Sequence, residues 1–222
     1  MDCLLSRRAA FAVTRPGMER PLMTPRRESP YLTKRFDAAF LLAHELHGTQ
    51  GRKGTTRPYI AHLMGVTAIV LTHGGDEDQA IAALLHDAVE DCGGAPMLVR
   101  IREQFGARVA RIVEGCTDTD QTPKPPWRAR KEAYIAHVRS APPDVQLVSA
   151  SDKLYNVREI LSDYRMIGEQ VWRRFHGGRE GTLWYYRALV DAFRAGRATP
   201  EMLRLVDELD SEVSELDRLA RR

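Results

Sequence analysis

The chain has 222 residues, 43% of them apolar, enough for one sizeable hydrophobic core. Its 33 basic and 30 acidic residues leave a formal charge of +3, too balanced for a dedicated nucleic-acid binder with a clustered basic face, while small anionic substrates stay compatible. Cys3, Cys92 and Cys116 are widely spaced and form no CxxC, which excludes a disulfide framework or a cysteine-ligated zinc site, and no apolar run approaches the roughly 20 residues of a bilayer span; a cytoplasmic protein without a membrane partner is expected.

In chain order, residues 1–32 are rich in Arg and Pro and lack apolar periodicity, so a disordered leader is expected there. The string Ser6 to Phe11 resembles a twin-arginine signal, but no adequate apolar segment or cleavage site follows, and Met18 and Met23 are alternative starts. From Thr33 onward, apolar stripes at helical spacing alternate with short polar breaks. They predict helices at 33–47, 58–73, 77–91, 96–104, 106–117, 127–140, 144–163, 166–176, 180–196 and 199–220. The expected fold is an all-α bundle of about ten helices. Residues 33–163 form its core, and 164–222 are C-terminal helices completing or packing on it. Gly74-Gly75 and Gly93-Gly94 suit helix stops, and Pro58, Pro96 and Pro143 suit first turns. In the last segment Leu203, Val206, Leu209, Val213 and Leu216 form a stripe expected to pack on the domain, with a second subunit as the alternative. The oligomeric state stays open, a homodimer included.

Chemistry begins at Ala82 to Asp91, AALLHDAVED, where an apolar helix acquires four ionisable residues in its last turns. On one continuous helix, His86 lies above Glu90 and Asp87 above Asp91. Upstream, His62 falls within the stripe of Ile60, Leu63, Val66 and Val70. Downstream, Asp152, Asn156 and Glu159 run beside Leu147, Leu154, Val157 and Leu161. A buried charge requires a partner or a metal, so three apolar helices each offering imidazole or carboxylate point to one shared ion. The expected ligands are His62, His86, Asp87 and Asp152, a donor set suited to manganese, iron or zinc, with neighbouring acids free to position a water.

At these residues the sequence resembles the HD superfamily: a His, an adjacent His-Asp pair, and a distant Asp. The phrases RKGTTRPYIAH, AALLHDAVED, FGARVARIVEGCTD and SDKLYNVRE more narrowly resemble the hydrolase domain of the RelA/SpoT family and its single-domain relatives, the MESH1-like small alarmone hydrolases, over about Thr33 to Asp163. The resemblance implies that His62, His86, Asp87 and Asp152 hold one Mn2+, other divalent metals being possible, and that Glu90 and Asp91 order and activate the attacking water. It implies that Arg52 and Lys53 contact the nucleotide base and phosphate, that Asn156 contacts the nucleotide, and that Tyr155 lines the same pocket. The implied reaction is hydrolysis of guanosine tetra- or pentaphosphate at the ribose 3′ side to GDP or GTP and pyrophosphate. Adenosine alarmones or NADPH are the alternative substrates, and a catalytically silent nucleotide-binding module is the alternative of another class.

The chain departs from the family pattern at Ser149 and Ser151, ahead of Asp152, and at Thr55-Thr56-Arg57, which is expected to add positive charge at the pocket mouth. The Pro-rich loop from Thr117 to Trp127 is expected to form a pocket wall or lid. Lys124, Arg128 and Lys131 are expected to form a solvated basic face.

Overall fold

Local capping sets the first boundaries. Thr33 accepts a bond from the Arg35 amide and opens α1 (Lys34–His47); Asp76 and Gln79 form a reciprocal capping box at the start of α3 (Glu77–Leu85), with α2 (Ile60–Thr72) between. In this computed structural model, which describes residues 32–119, 123–196 and 199–221, there follow α4 (Ala88–Cys92), α5 (Gly94–Phe105), α6 (Ala107–Cys116), α7 (Trp127–Ser140), α8 (Pro143–Ile167), a 3-10 turn (Gly168–Arg174), α9 (Gly178–Arg194) and α10 (Pro200–Ala220). The all-α expectation holds, and β pairing among the described residues is one isolated bridge, Gly51 to Pro58. No helix among them is long and apolar enough to cross a membrane. Apart from Leu32, the leader expected at 1–32 lies outside the described residues.

The 25-residue α8 is the axis of the bundle: α2, α3, α6, α7, α9, α10 and the 3-10 turn all pack on it. Ala80 to Leu85 of α3 are all but fully buried, which explains why that stretch reads as an uninterrupted apolar run. Tyr31–Arg222 form one compact unit, and the boundary drawn at 163/164 falls inside α8.

Three sequence expectations need correction. The single helix at 77–91 is broken: α3 stops at Leu85 and α4 starts at Ala88, with Asp87 at φ −94° and ψ −8°, the bridge conformation common in active-site residues. On an unbroken helix His86 and Asp87 point about 100° apart; the break lets both face one point. The helix expected at 166–176 is instead a tight 3-10 turn, because Gly168, at φ +57°, ends α8 in a conformation that side chains disfavour. In α10 the buried stripe is Met202, Leu205, Val206, Leu209, Val213 and Leu216, facing α8 and α9, while Leu203 is 47% exposed.

Candidate active site

Four side chains from α2, the α3–α4 break and α8 meet at one point. His62 Nε2 lies 3.3 Å from His86 Nε2 and 3.4 Å from both Asp87 Oδ2 and Asp152 Oδ1; His86 Nε2 lies 3.2 Å from Asp87 Oδ2 and 3.6 Å from Asp152 Oδ1. Both imidazoles and Asp152 are buried. His86 Nδ1 sits 2.8 Å from the Ala83 carbonyl, which only accepts, so Nδ1 carries hydrogen and Nε2 is the atom turned to the cluster. His62, His86 and Asp87 offer two imidazole nitrogens and a carboxylate oxygen within 4.8 Å of one another, with Asp152 Oδ1 against both imidazoles, a donor set that fits a divalent ion.

Electrostatics at these groups are strongly perturbed. Burial opposes the charged form of Asp87 and Asp152, yet His86 holds Asp87, and Lys153 with His86 holds Asp152, well below the usual carboxylate range. Burial also opposes charge on His86, but the two carboxylates outweigh it and raise its pKa well above normal, whereas burial lowers that of His62. Lys153 Nζ donates to Asp152 Oδ2 at 2.5 Å and lies 5.0 Å from the centre of the Tyr134 ring; despite its burial, the Asp152 charge raises its pKa.

His62, Asp87 and Asp152 of this cluster line a cavity of about 600 Å³. Arg52, Lys53 and Asn156 line the same cavity, as do Glu90 and Asp91. Arg52 donates to Glu159 Oε2 at 3.0 Å and to Asn156 Oδ1 at 2.5 Å, and Asn156 Nδ2 donates to Asp152 Oδ1 at 2.5 Å, so a chain of bonds ties the loop after α1 to the cluster. Glu90 accepts from Lys124 Nζ at 2.7 Å, and Asp91 accepts from Gln50 Nε2 at 3.1 Å. Tyr155 stands behind the lining. Its ring packs edge-on to His62 and fills the space over Gly65, where a Cβ would lie 1.9 Å from it.

Two charge expectations change. Arg57 lines the cavity, but Glu159 and Asp163 pair with it, so its charge is offset within the wall. Lys131 is no solvated cation: its side chain is 18% exposed and pairs with Asp118, and burial, with Lys153 nearby, lowers its pKa. Arg128 does stand outside, over the face of Trp184 and bonded to Glu132. Ser149 bonds Tyr134 Oη and Ser151 bonds the Leu147 carbonyl, so both departures are satisfied within α8's packing.

Sequence reasoning missed Tyr59, whose hydroxyl donates to Asp87 Oδ2 at 2.5 Å, and Lys153. Lys153 carried the same signal as Asp152, a charge on an apolar helix. It also missed Arg130, Arg174, His176, Tyr185 and Tyr186 in the lining, which the start of α7, the end of the 3-10 turn, the link after it and the middle of α9 bring in without any local pattern.

Residues 39–183 match the family model described as HD domain. Among curated proteins, the Xenopus tropicalis guanosine-3′,5′-bis(diphosphate) 3′-pyrophosphohydrolase MESH1 is 39% identical over 132 residues, 56% of this chain and 71% of that protein. The mouse MESH1 protein is 40% identical over 129 residues, 56% of this chain and 68% of that protein. The guanosine-3′,5′-bis(diphosphate) 3′-pyrophosphohydrolase of Aquifex aeolicus (strain VF5) is 35% identical over 131 residues, 59% of this chain but 18% of that longer protein. Among solved structures, lmo0812 from Listeria monocytogenes EGD-e superposes with a TM-score of 0.63 at 27% identity, covering 71% of this chain and 99% of that one. A metazoan orthologue of SpoT, described as hydrolysing ppGpp, gives 0.65 at 24% identity over 86% of this chain and 97% of that one, a likeness of fold.

Proposed function

We propose that this chain, which belongs to the HD domain family, is a manganese-dependent hydrolase of guanosine 3′,5′-bis(diphosphate) and its pentaphosphate, releasing pyrophosphate and GDP or GTP. The observation that carries this reading is the meeting of His62 Nε2, His86 Nε2, Asp87 Oδ2 and Asp152 Oδ1, of which His62, Asp87 and Asp152 line a cavity that also holds Arg52, Lys53, Lys124 and Arg130. The MESH1 relatives, of which this chain matches about seven-tenths, carry that activity in their names.

His62, His86, Asp87 and Asp152 would hold one Mn2+, which supplies a Lewis acid for phosphate oxygens and acidifies the water used in attack. Glu90 and Asp91 line the same cavity; they orient the water and accept its proton as its oxygen bonds the phosphorus, and as the P–O3′ bond breaks that proton passes to the leaving ribose O3′. On one side Arg52 offers a planar guanidinium to the base, with Lys53 for phosphate and Asn156 holding Arg52 to Asp152. On the other, Lys124, Arg130 and Lys131 face the polyphosphate. Tyr155 acts from behind, fixing His62. Because Arg174, His176 and Tyr185 line the cavity, the catalytic unit extends beyond Asp163.

The test is turnover of three substrates by the Mn2+-loaded protein: guanosine bis(diphosphate), its adenosine counterpart and NADPH. The guanosine compound is expected to have the highest kcat/KM. Preference for either of the others overturns the substrate assignment while keeping the hydrolase.

A further inference from the structure

Asp91 and Asp87 are both bonded to a layer from the end of α1 and the loop after it. His47, the last residue of α1, is 1% exposed. Its Nδ1 lies 2.6 Å from Gln50 Oε1, and Gln50 Nε2 lies 3.1 Å from Asp91 Oδ2. The hydrogens follow from chemistry: a carboxylate only accepts, so Gln50 turns its amide nitrogen to Asp91, its carbonyl oxygen faces His47, and Nδ1 donates. The face of the same imidazole stacks on Tyr59, with centroids 5.1 Å apart and planes 18° from parallel, and Tyr59 Oη donates to Asp87 Oδ2 at 2.5 Å. Cys92 Sγ, 3.8 Å from Nε2, closes a further side of the ring.

We propose that His47 is a positioning residue that holds Asp91 through Gln50 and Asp87 through Tyr59, so that one imidazole at a helix end sets both a water-handling acid and an ion-facing acid. Asp91 is an exposed carboxylate with free rotamers unless bonded, and a hydrogen bond anchored on a buried ring removes that freedom. Asp87 turns Oδ2 to His62 and His86, and Tyr59 bonds that same oxygen through another lone pair, so a ring itself clamped by stacking fixes its aim, as hydrogen-bond partners of ligating carboxylates do elsewhere. The two arms separate experimentally. The Gln50 arm acts on turnover and rests on the hydrolase reading; the Tyr59 arm acts on ion affinity and is measurable without any nucleotide.

Two substitutions divide the imidazole. His47→Phe keeps a ring for Tyr59 but removes the donor to Gln50; His47→Asn keeps an amide donor near the place of Nδ1 but removes the ring. For each, and for Gln50→Ala and Tyr59→Phe, Mn2+ affinity is measured by calorimetry, kcat and KM with guanosine bis(diphosphate), and the thermal unfolding midpoint. His47→Phe and Gln50→Ala are expected to lower kcat at saturating Mn2+ by about tenfold with KM within twofold and Mn2+ affinity retained. His47→Asn and Tyr59→Phe are expected to weaken Mn2+ binding by about tenfold, with most of kcat recovered at saturating metal. If all four move only the unfolding midpoint, His47 is a packing residue and the proposal is overturned. Should the His47 variants not fold, Gln50→Ala and Tyr59→Phe decide the two arms on their own. A wild type that turns over no nucleotide sinks the hydrolase reading, yet unchanged Mn2+ affinity in Tyr59→Phe would still overturn the positioning role.

Discussion

The inner cluster and the cationic wall of the same cavity are built in opposite ways. His62, His86, Asp87 and Asp152 project from α2, the α3–α4 break and α8, elements whose other faces are locked in the core, and the two imidazole Nε2 atoms lie 3.2 to 3.6 Å from each other and from the carboxylate oxygens. Lys53, Lys124, Arg130, Lys131 and Arg174 come from loops and helix starts, and most are already spent on carboxylates: Lys124 on Glu90, Arg130 and Lys131 on Asp118, Arg174 on Asp163. In the proposed hydrolase a rigid centre would set the chemistry, while a wall of exchangeable ion pairs would accept phosphates by trading one set of anions for another.

The sharpest break of that comparison is at the centre. His86→Ala is expected to abolish tight Mn2+ binding and cut turnover by about 10³-fold or more, read by metal analysis and single-turnover assay; retained activity with no bound metal would contradict the role given to the cluster. Next, Glu90→Gln should lower kcat by about 10²-fold while binding Mn2+ as wild type does, since it removes a proton acceptor and not a ligand. At the backing of the centre, Gly65→Ala places a Cβ 1.9 Å from the Tyr155 ring and should lower stability by about 1–3 kcal/mol in denaturant unfolding, with weakened Mn2+ affinity as His62 shifts.

Changes in the wall should be milder and of another kind. Lys131→Met is expected to raise KM by about threefold to tenfold, with kcat little changed and a flatter dependence of KM on salt. Outside the cavity, Arg128→Ala removes the cation over Trp184 and should cost about 0.5–1 kcal/mol of stability without altering turnover.

The same contrast explains what the sequence revealed. An ionisable residue inside an apolar stripe has few physical readings, so His62 and Asp152 stood out, and the helices carrying them were legible from period alone. The break at His86–Asp87 was not legible, because LLHDAVED satisfies a continuous helical pattern, whereas in the fold α3 packs chiefly on α1, α2, α6 and α8 and α4 chiefly on α5. Tyr59 carries no local sign of its role, since its partner, Asp87, lies 28 residues away. Arg174, His176 and Tyr185 were invisible as lining for the same reason: a 3-10 turn and the N-terminal half of α9 bring them to the cavity through tertiary packing, which leaves no spacing signal behind. Leu203 falls outside because the buried positions Met202, Val206, Leu209, Val213, Leu216 and Ala220 alternate in steps of four and three, a register in which Leu203 has no place.

The most direct test of the account is pyrophosphate release from guanosine 3′,5′-bis(diphosphate) by protein stripped of metal and then titrated with Mn2+. The account predicts no release from the stripped protein and full activity at one Mn2+ per chain, with GDP as the other product. Release that is undiminished after stripping, or Mn2+ bound at one per chain with no pyrophosphate formed, would contradict it.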